Sequence, residues 1–115
     1  MSAKDLHCIE SIIEAVERIL EYTTGYENAD EFNEDYRNFD ATLMNFVIIG
    51  EMIGKLSKDF IIKNSSVEWH KIKGLRNLVA HNYFGIDAEE IWQIVINKIP
   101  KLKADLMIIL KNTVY

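Results

Sequence analysis

Apolar residues recur along this chain with the spacing of helices. In "KDLHCIESIIEAVERILEYT" the residues Leu6, Ile9, Ile13, Val16 and Leu20 return every three or four positions, with Glu10, Glu14, Glu17 and Glu21 opposite. That period describes an amphipathic helix with one buried face. Gly25 in "TTGYEN" supplies its terminator, because glycine accepts the left-handed conformation that closes a helix. A short acidic helix is predicted over residues 29–36 and a long one over 39–61. The long one carries Leu43, Phe46, Val47, Ile53 and Leu56, with Gly50 and Gly54 one turn apart. The two glycines either admit a closely approaching helix or second subunit, or are simply tolerated. A third long helix, over 66–82, opens on "SSVE", with Ser65 as N-cap and Glu68 completing a capping box; Gly85 then marks a turn. The last helix starts at "IDAEEI", where Asp87 is the N-cap, Glu90 sits at the third helical position, and Ile86 and Ile91 form a hydrophobic staple. It continues to about residue 112, roughly 37 Å at 1.5 Å per residue. Pro100 removes the amide that would bond the Ile96 carbonyl and predicts a kink. Sustained alternation and Asn-Gly or Asp-Gly turns are absent. The expected architecture is an all-α bundle of four main helices and one short one, with a kinked last helix, in a single domain spanning 1–115.

Composition narrows the class. With 49% hydrophobic and 27% charged residues the chain is globular in type. Its longest apolar runs, "FVII" and "LMIIL", are too short to span a bilayer. No apolar stretch follows the charged start, so no signal peptide is expected and the cytoplasm is the expected compartment. Cys8 stands alone, which excludes an internal disulfide and a cysteine-based zinc site; it is expected as a small hydrophobe on the buried face of the first helix. The net charge of −5 conceals an asymmetry: residues 1–40 carry 11 acidic and 3 basic groups, residues 41–115 carry 7 acidic and 10 basic. The basic groups gather at Lys71, Lys73 and Arg76 and again at Lys98, Lys101 and Lys103. Ordinary lysines on a solvated face account for that more readily than a phosphate-binding surface does. Charge leaves nucleic acid open without arguing for it.

The anomaly is "GLRNLVAHNYFGID". On a helix Trp69, Ile72, Arg76, Val79 and Tyr83 fall on one stripe, apolar except for the arginine and the tyrosine hydroxyl. A guanidinium on a buried face needs a counter-charge or an anion. His81 lies about 140° round from Arg76 at 100° per residue, so the two converge only if the helix ends near His81 or a second subunit brings its own copy across. In a structural reading Arg76 pairs with a carboxylate such as Glu51, His81 is a partly buried hydrogen-bonded side chain, and Tyr83 packs at an interface. In a functional reading Arg76 grips a phosphate bidentately, His81 transfers protons near neutral pH, and Tyr83 presents its hydroxyl. Arginine with histidine suits RNA cleavage without a metal: a base activates the ribose 2′-hydroxyl and a cation stabilises the phosphorane. Gly-rich phosphate loops, HExxH, GxSxG and cysteine clusters are missing. His7 lies on the wrong stretch to join the site. His70, beside Lys71, is read as an exposed helix histidine or an aid to phosphate binding. Asp87, Glu89 and Glu90 are read as helix-start residues, not metal ligands.

At these residues the chain resembles the HEPN superfamily, and within it the HepT-type toxins, whose motif is Arg, four residues, His, one residue, Tyr. "RNLVAHNY" places Arg76, His81 and Tyr83 in the motif positions, with Asn77 in the usual "RN" pair. "FVIIGEMIGKLS", "VEWHKIKGLRN" and "IDAEEIWQIVINKIPKLK" are similar to the second-helix signature, the approach to the motif and the proline-bearing last helix, so the resemblance covers most of the chain in order. It implies a homodimer with two motif copies facing a shared cleft, and a metal-independent endoribonuclease toxin needing no cofactor. Its antitoxin would be a minimal nucleotidyltransferase of the MntA type that adds AMP to the motif tyrosine, here Tyr83. By the same transfer Arg76 and His81 are the catalytic residues. Asn77 and Glu51 are in support, and Lys71 and Lys73 are possible phosphate ligands. The alternative function is a non-catalytic nucleotide- or RNA-binding partner of a nucleotidyltransferase. "IIKNSSVEW" lacks the proline that often precedes the family's tryptophan.

Overall fold

In the computed structural model, which describes residues 1–113, every regular element is helical: α1 (Ala3–Tyr22), α2 (Ala29–Glu34), α3 (Tyr36–Gly54), α4 (Lys58–Lys63), α5 (Trp69–Asn82), a 3-10 turn (Tyr83–Gly85), α6 (Ala88–Asn97) and α7 (Ile99–Thr113). The α3 helix is central, packed against α1 on one side and α5 on the other, while α7 covers a second flank of α1 and α2 lies against α6. Two covers rotate the buried face of α1 from the expected one. Ile9, Ile12, Val16 and Ile19 are fully buried and Cys8 nearly so, whereas Leu6, Ile13 and Leu20 form a half-buried edge. The α1 helix ends at Tyr22 with Thr23 as its C-cap, and Gly25 takes the left-handed conformation, φ +94°, in the turn that follows.

Where α2, α3 and α6 meet, Phe32 packs its ring against Phe39, Trp92 and Tyr26 at centroid distances of 5.1, 5.5 and 5.6 Å. Phe46, Ile49, Ile91, Leu102 and Leu106 complete the interior with no measurable exposure or almost none. Each such side chain contributes about 1.5–3 kcal/mol by leaving water.

Three boundaries differ from those the sequence predicts. The 39–61 helix starts earlier, at Tyr36, and stops at Gly54; the chain turns and restarts as α4. Ser57 makes that restart. Its hydroxyl accepts from the Phe60 amide at 3.2 Å and donates to Asp5 at 2.7 Å, while its own amide donates to Asp5 at 2.8 Å. The break therefore ties α4 to the first turn of α1. Burial of Asp5 pushes its pKa up, but hydrogen bonds from the Ser57 hydroxyl and amide and from Ser2, with the charge of Lys4, outweigh it and hold the carboxyl below its ordinary range.

The third helix begins at Trp69, not at residue 66, and the Ser65–Glu68 capping box does not form. Residues 64–68 are kept in a turn instead: the Val67 amide bonds the Asn64 carbonyl at 3.2 Å, and the Trp69 indole donates to the same carbonyl at 2.9 Å. Glu68 occupies the cap position without a capping bond, its carboxylate drawn to Lys71 at 2.8 Å and Lys98 at 3.9 Å.

The last helix divides at Lys98 into α6 and α7. Pro100 becomes the second residue of α7, where a missing amide costs little. Asp87 caps α6 as expected, though it accepts from the Glu89 amide, at 2.9 Å, rather than from the position after it. Ile91 is wholly buried and Ile86 half-buried against the core, as a staple requires. Among the described residues no helix is long and apolar enough to cross a membrane.

Candidate functional site

The site begins with a glycine. A Cβ built on Gly50 would stand 2.5 Å from the Arg76 Cβ and 3.0 Å from the Lys73 carbonyl oxygen. Only glycine lets α5 lie this close to α3. At Gly54 the nearest atom is the Lys73 Cε at 3.5 Å, an ordinary contact. Gly50 meeting both Arg76 and Lys73 while Gly54 meets Lys73 alone shows the two helices running antiparallel. The close-approach expectation thus holds for Gly50, with a helix of the same chain as the visitor.

The Arg76 side chain is not buried. The buried residues of α5 are Trp69, Leu75 and Val79, with Ile72 half-buried, while Arg76 and Tyr83 are exposed. The Cβ of Arg76 is pressed toward Gly50, and the side chain, 45% exposed, carries its guanidinium outward to Glu51 on α3. There Nε donates to Glu51 at 2.9 Å and one Nη donates to the Asn77 side-chain oxygen at 3.3 Å. A guanidinium carries five N–H donors. Three of them remain uncommitted among the described residues. Asn77 therefore orients the arginine rather than capping the helix.

Around Arg76 a polar groove between α3 and α5 is lined by Gly50, Glu51, Gly54, Lys55, Lys73 and Asn77. Lys55 and Lys73 form no ion pair among the described residues. Lys55 escaped the sequence reading because its place depends on α3 ending at Gly54. The break makes it the C-cap and turns it into the groove.

His81 lies on the other side of α5, in a shallow depression with Gly74, Leu75, Leu78, Asn82 and Glu90. It is exposed, and neither ring nitrogen has a hydrogen-bond partner among the described residues, so it is not the partly buried, bonded histidine of the structural reading. Asn77 lines both recesses. The helix continues through Asn82, so within one chain Arg76 and His81 do not converge. Lys71 lies on the His81 side, bonded to Glu68; that carboxylate raises the pKa of Lys71, and Lys71 lowers that of Glu68. Tyr83 is 51% exposed in the 3-10 turn. His7 and His70 are exposed and line neither recess, which for His70 favours the exposed helix histidine over the aid to phosphate binding. Phe84 is wholly exposed beside Tyr83. Its signal in the sequence is an apolar residue in a glycine-ended turn.

An all-helical HEPN-type domain carrying R-x4-H-x-Y at the end of one helix is the class these features define. The chain belongs to the ribonuclease HepT-like family, whose model matches residues 12–109. Similarity extends to a Methanocaldococcus jannaschii protein provisionally named an RNase, 38% identical over 101 residues, covering 87% of this chain and 83% of the relative. A Caldanaerobacter subterraneus subsp. tengcongensis protein with a provisional RNase name is 32% identical over 104 residues, 90% of this chain and 92% of its own. A Thermococcus cleftensis protein provisionally named ribonuclease HepT is 32% identical over 95 residues, covering 83% and 86% of the two chains. No solved structure gives a significant match.

Proposed function

We propose that this ribonuclease-family protein is a metal-independent endoribonuclease toxin, with Arg76 and His81 catalytic and Tyr83 the site of its silencing. The observation that carries the reading is the state of the two side chains. Among the described residues, Arg76 is oriented by Glu51 and Asn77 yet keeps three donors for a phosphate, and His81 is exposed with both nitrogens unengaged. In cleavage the His81 imidazole takes the proton of the ribose 2′-hydroxyl, whose oxygen attacks the adjacent phosphorus. Arg76 stabilises the charge of the phosphorane, and the 5′-oxygen leaves with the proton that the imidazolium gives back, yielding a 2′,3′-cyclic phosphate and a 5′-hydroxyl. Lys73 lies in the Arg76 groove and suits a flanking phosphate; Lys71 serves another only by leaving Glu68.

Because Arg76 and His81 face different sides of α5, the reading calls for a homodimer in which one protomer's arginine and its partner's histidine share a cleft. Tyr83 is accessible to a partner nucleotidyltransferase antitoxin. Its phenol oxygen would attack the α-phosphorus of ATP, releasing pyrophosphate and a proton and leaving a tyrosyl-AMP. That anion and base would occupy the place of RNA phosphate. The second reading, a subunit that binds RNA or nucleotide without cutting, draws support from the separation of the two side chains within one chain.

Cleavage of RNA by the purified, unmodified protein, with and without a chelator, separates the two readings. Chelator-resistant cleavage that disappears in His81→Ala supports the enzyme. Intact RNA with a folded protein of unmodified mass supports the binding subunit. A mass gain in steps of one AMP with the partner and ATP, abolished in Tyr83→Phe, tests the silencing.

A further inference from the structure

Phenylalanine has no polar atom to hold toward water, yet Phe84 has 101% relative exposure, as though nothing covered it. It does not sit on a loose tail. The 3-10 turn that carries it is fixed at one end by α5 and at the other by Ile86, which packs on the core. Tyr83 stands edge-on to the Phe84 ring, with centroids 5.3 Å apart and planes at 75°. Among the described residues the other exposed large aromatics, Tyr36 and Tyr83, each carry a hydroxyl to hold toward water.

We propose that Phe84, braced by Tyr83, is a stacking platform for an unpaired nucleobase of the RNA, and that the substrate class is therefore single-stranded RNA or a loop. The proposal rests on the ribonuclease reading and deepens it. Aromatic faces stack bases of any sequence, and single-strand sites pair such platforms with a cationic track for the backbone. Both parts are present. The groove of Arg76, Lys73 and Lys55 lies two turns back along α5; Phe84 follows Arg76 by eight residues, roughly 12 Å at helical rise. Phosphates on the cations and a base on the ring fit one strand. A base inside a duplex has both faces covered by its neighbours, and duplex RNA is read through its minor groove and phosphates.

The test uses a single-stranded, fully 2′-O-methylated RNA dodecamer containing 2-aminopurine, which cannot be cut by 2′-hydroxyl attack and whose fluorescence falls when it stacks. The parent, Phe84→Ala and Phe84→Trp are titrated with it, and the mass of each protein in solution is measured by sedimentation. The expected result is quenching by the parent and by Phe84→Trp, about ten- to a hundred-fold weaker binding with quenching lost in Phe84→Ala, and one assembly state for all three. Equal binding and quenching by Phe84→Ala overturns the platform. So does a change of assembly state in Phe84→Ala, which makes the ring a subunit contact. Cleavage of unmodified RNA by the parent and by His81→Ala is measured alongside. Phe84-dependent quenching without cleavage would sink the catalytic reading and leave the platform standing. His81-dependent cleavage with no Phe84 dependence would do the reverse, and a parent that neither binds nor cuts overturns both.

Discussion

Two polar links hold distant parts of this chain together, and they are built in opposite ways. Asp5 joins Ser57 across 52 positions of sequence, with 3% exposure and both carboxylate oxygens engaged. Arg76 joins Glu51 across 25 positions, half in solvent, with most of its donors uncommitted. A buried polar group with every bond made specifies a fold, since losing a partner strands the other. A half-exposed one with bonds to spare can take a ligand without first breaking the structure. The contrast makes Asp5 part of the architecture and leaves Arg76 open to the ligand that the proposed function gives it.

The largest expected effect lies at the second link. Arg76→Ala and His81→Ala should each lower RNA cleavage by about 10²–10⁴-fold, with thermal midpoints close to the parent's because both side chains are exposed. Asp5→Ala should show the opposite profile: about 3 kcal/mol of stability lost as the Ser57 amide and hydroxyl are stranded, read from urea unfolding, with cleavage unchanged at temperatures where the variant is folded. Cleavage lost in Asp5→Ala under those conditions, or a large midpoint shift in His81→Ala, would collapse the distinction.

Acid should separate them too. The Asp5 pKa in the fold is held below its ordinary value, so its contribution is fully present above the unfolded pKa, about 3.9, and is lost as pH falls through the folded value. Asp5→Asn should be less stable than the parent at neutral pH, with the gap closing as pH falls below about 4. A gap constant down to pH 2 would mean that the carboxylate charge contributes nothing.

How far each link was legible in the sequence follows from its range. The helices were, because period and terminators are local: Gly25, Asp87 and the Ile86–Ile91 staple stand where expected. The motif residues and the Arg76–Glu51 pairing were named as well. The Asp5–Ser57 link was not, since neither residue has a local signature and they meet only because the chain breaks after Gly54. The same break, invisible in a continuous apolar period, hid Lys55. The capping box failed because an Asn64 carbonyl bonded to an indole outcompeted a good local pattern. The exposure of Arg76 was missed because a helical stripe gives direction, not depth: its Cβ points to the core side and its guanidinium leaves it.

Gly50 probes how the second link is mounted. Gly50→Ala puts a Cβ 2.5 Å from the Arg76 Cβ, so one backbone must move. A loss of about 1–3 kcal/mol is expected, together with weaker cleavage, because the displaced helix carries Arg76. Gly54→Ala meets only a flexible lysine stem and should fold at least as well as the parent. Equal tolerance at both positions would mean that α5 is not held against α3 by a glycine.

The smallest effect should come from Glu51→Gln, and it is the sharpest test of the comparison. A half-exposed ion pair is worth little, so the unfolding midpoint should move by less than about 0.5 kcal/mol. The amide oxygen can still accept from Nε, which keeps the arginine near its place. What changes is the charge facing the RNA. With the carboxylate gone the groove keeps Lys55, Lys73 and Arg76 and loses its one acidic group, so RNA should bind more tightly and KM should fall. The kcat is expected to drop only modestly, because orientation is largely preserved. Glu51→Ala removes both charge and acceptor and should share the lower KM with a larger loss of kcat. If Glu51→Gln instead destabilised the fold as Asp5→Ala does, the Arg76 link would be architectural after all, and the phosphate would have to be sought elsewhere on α5.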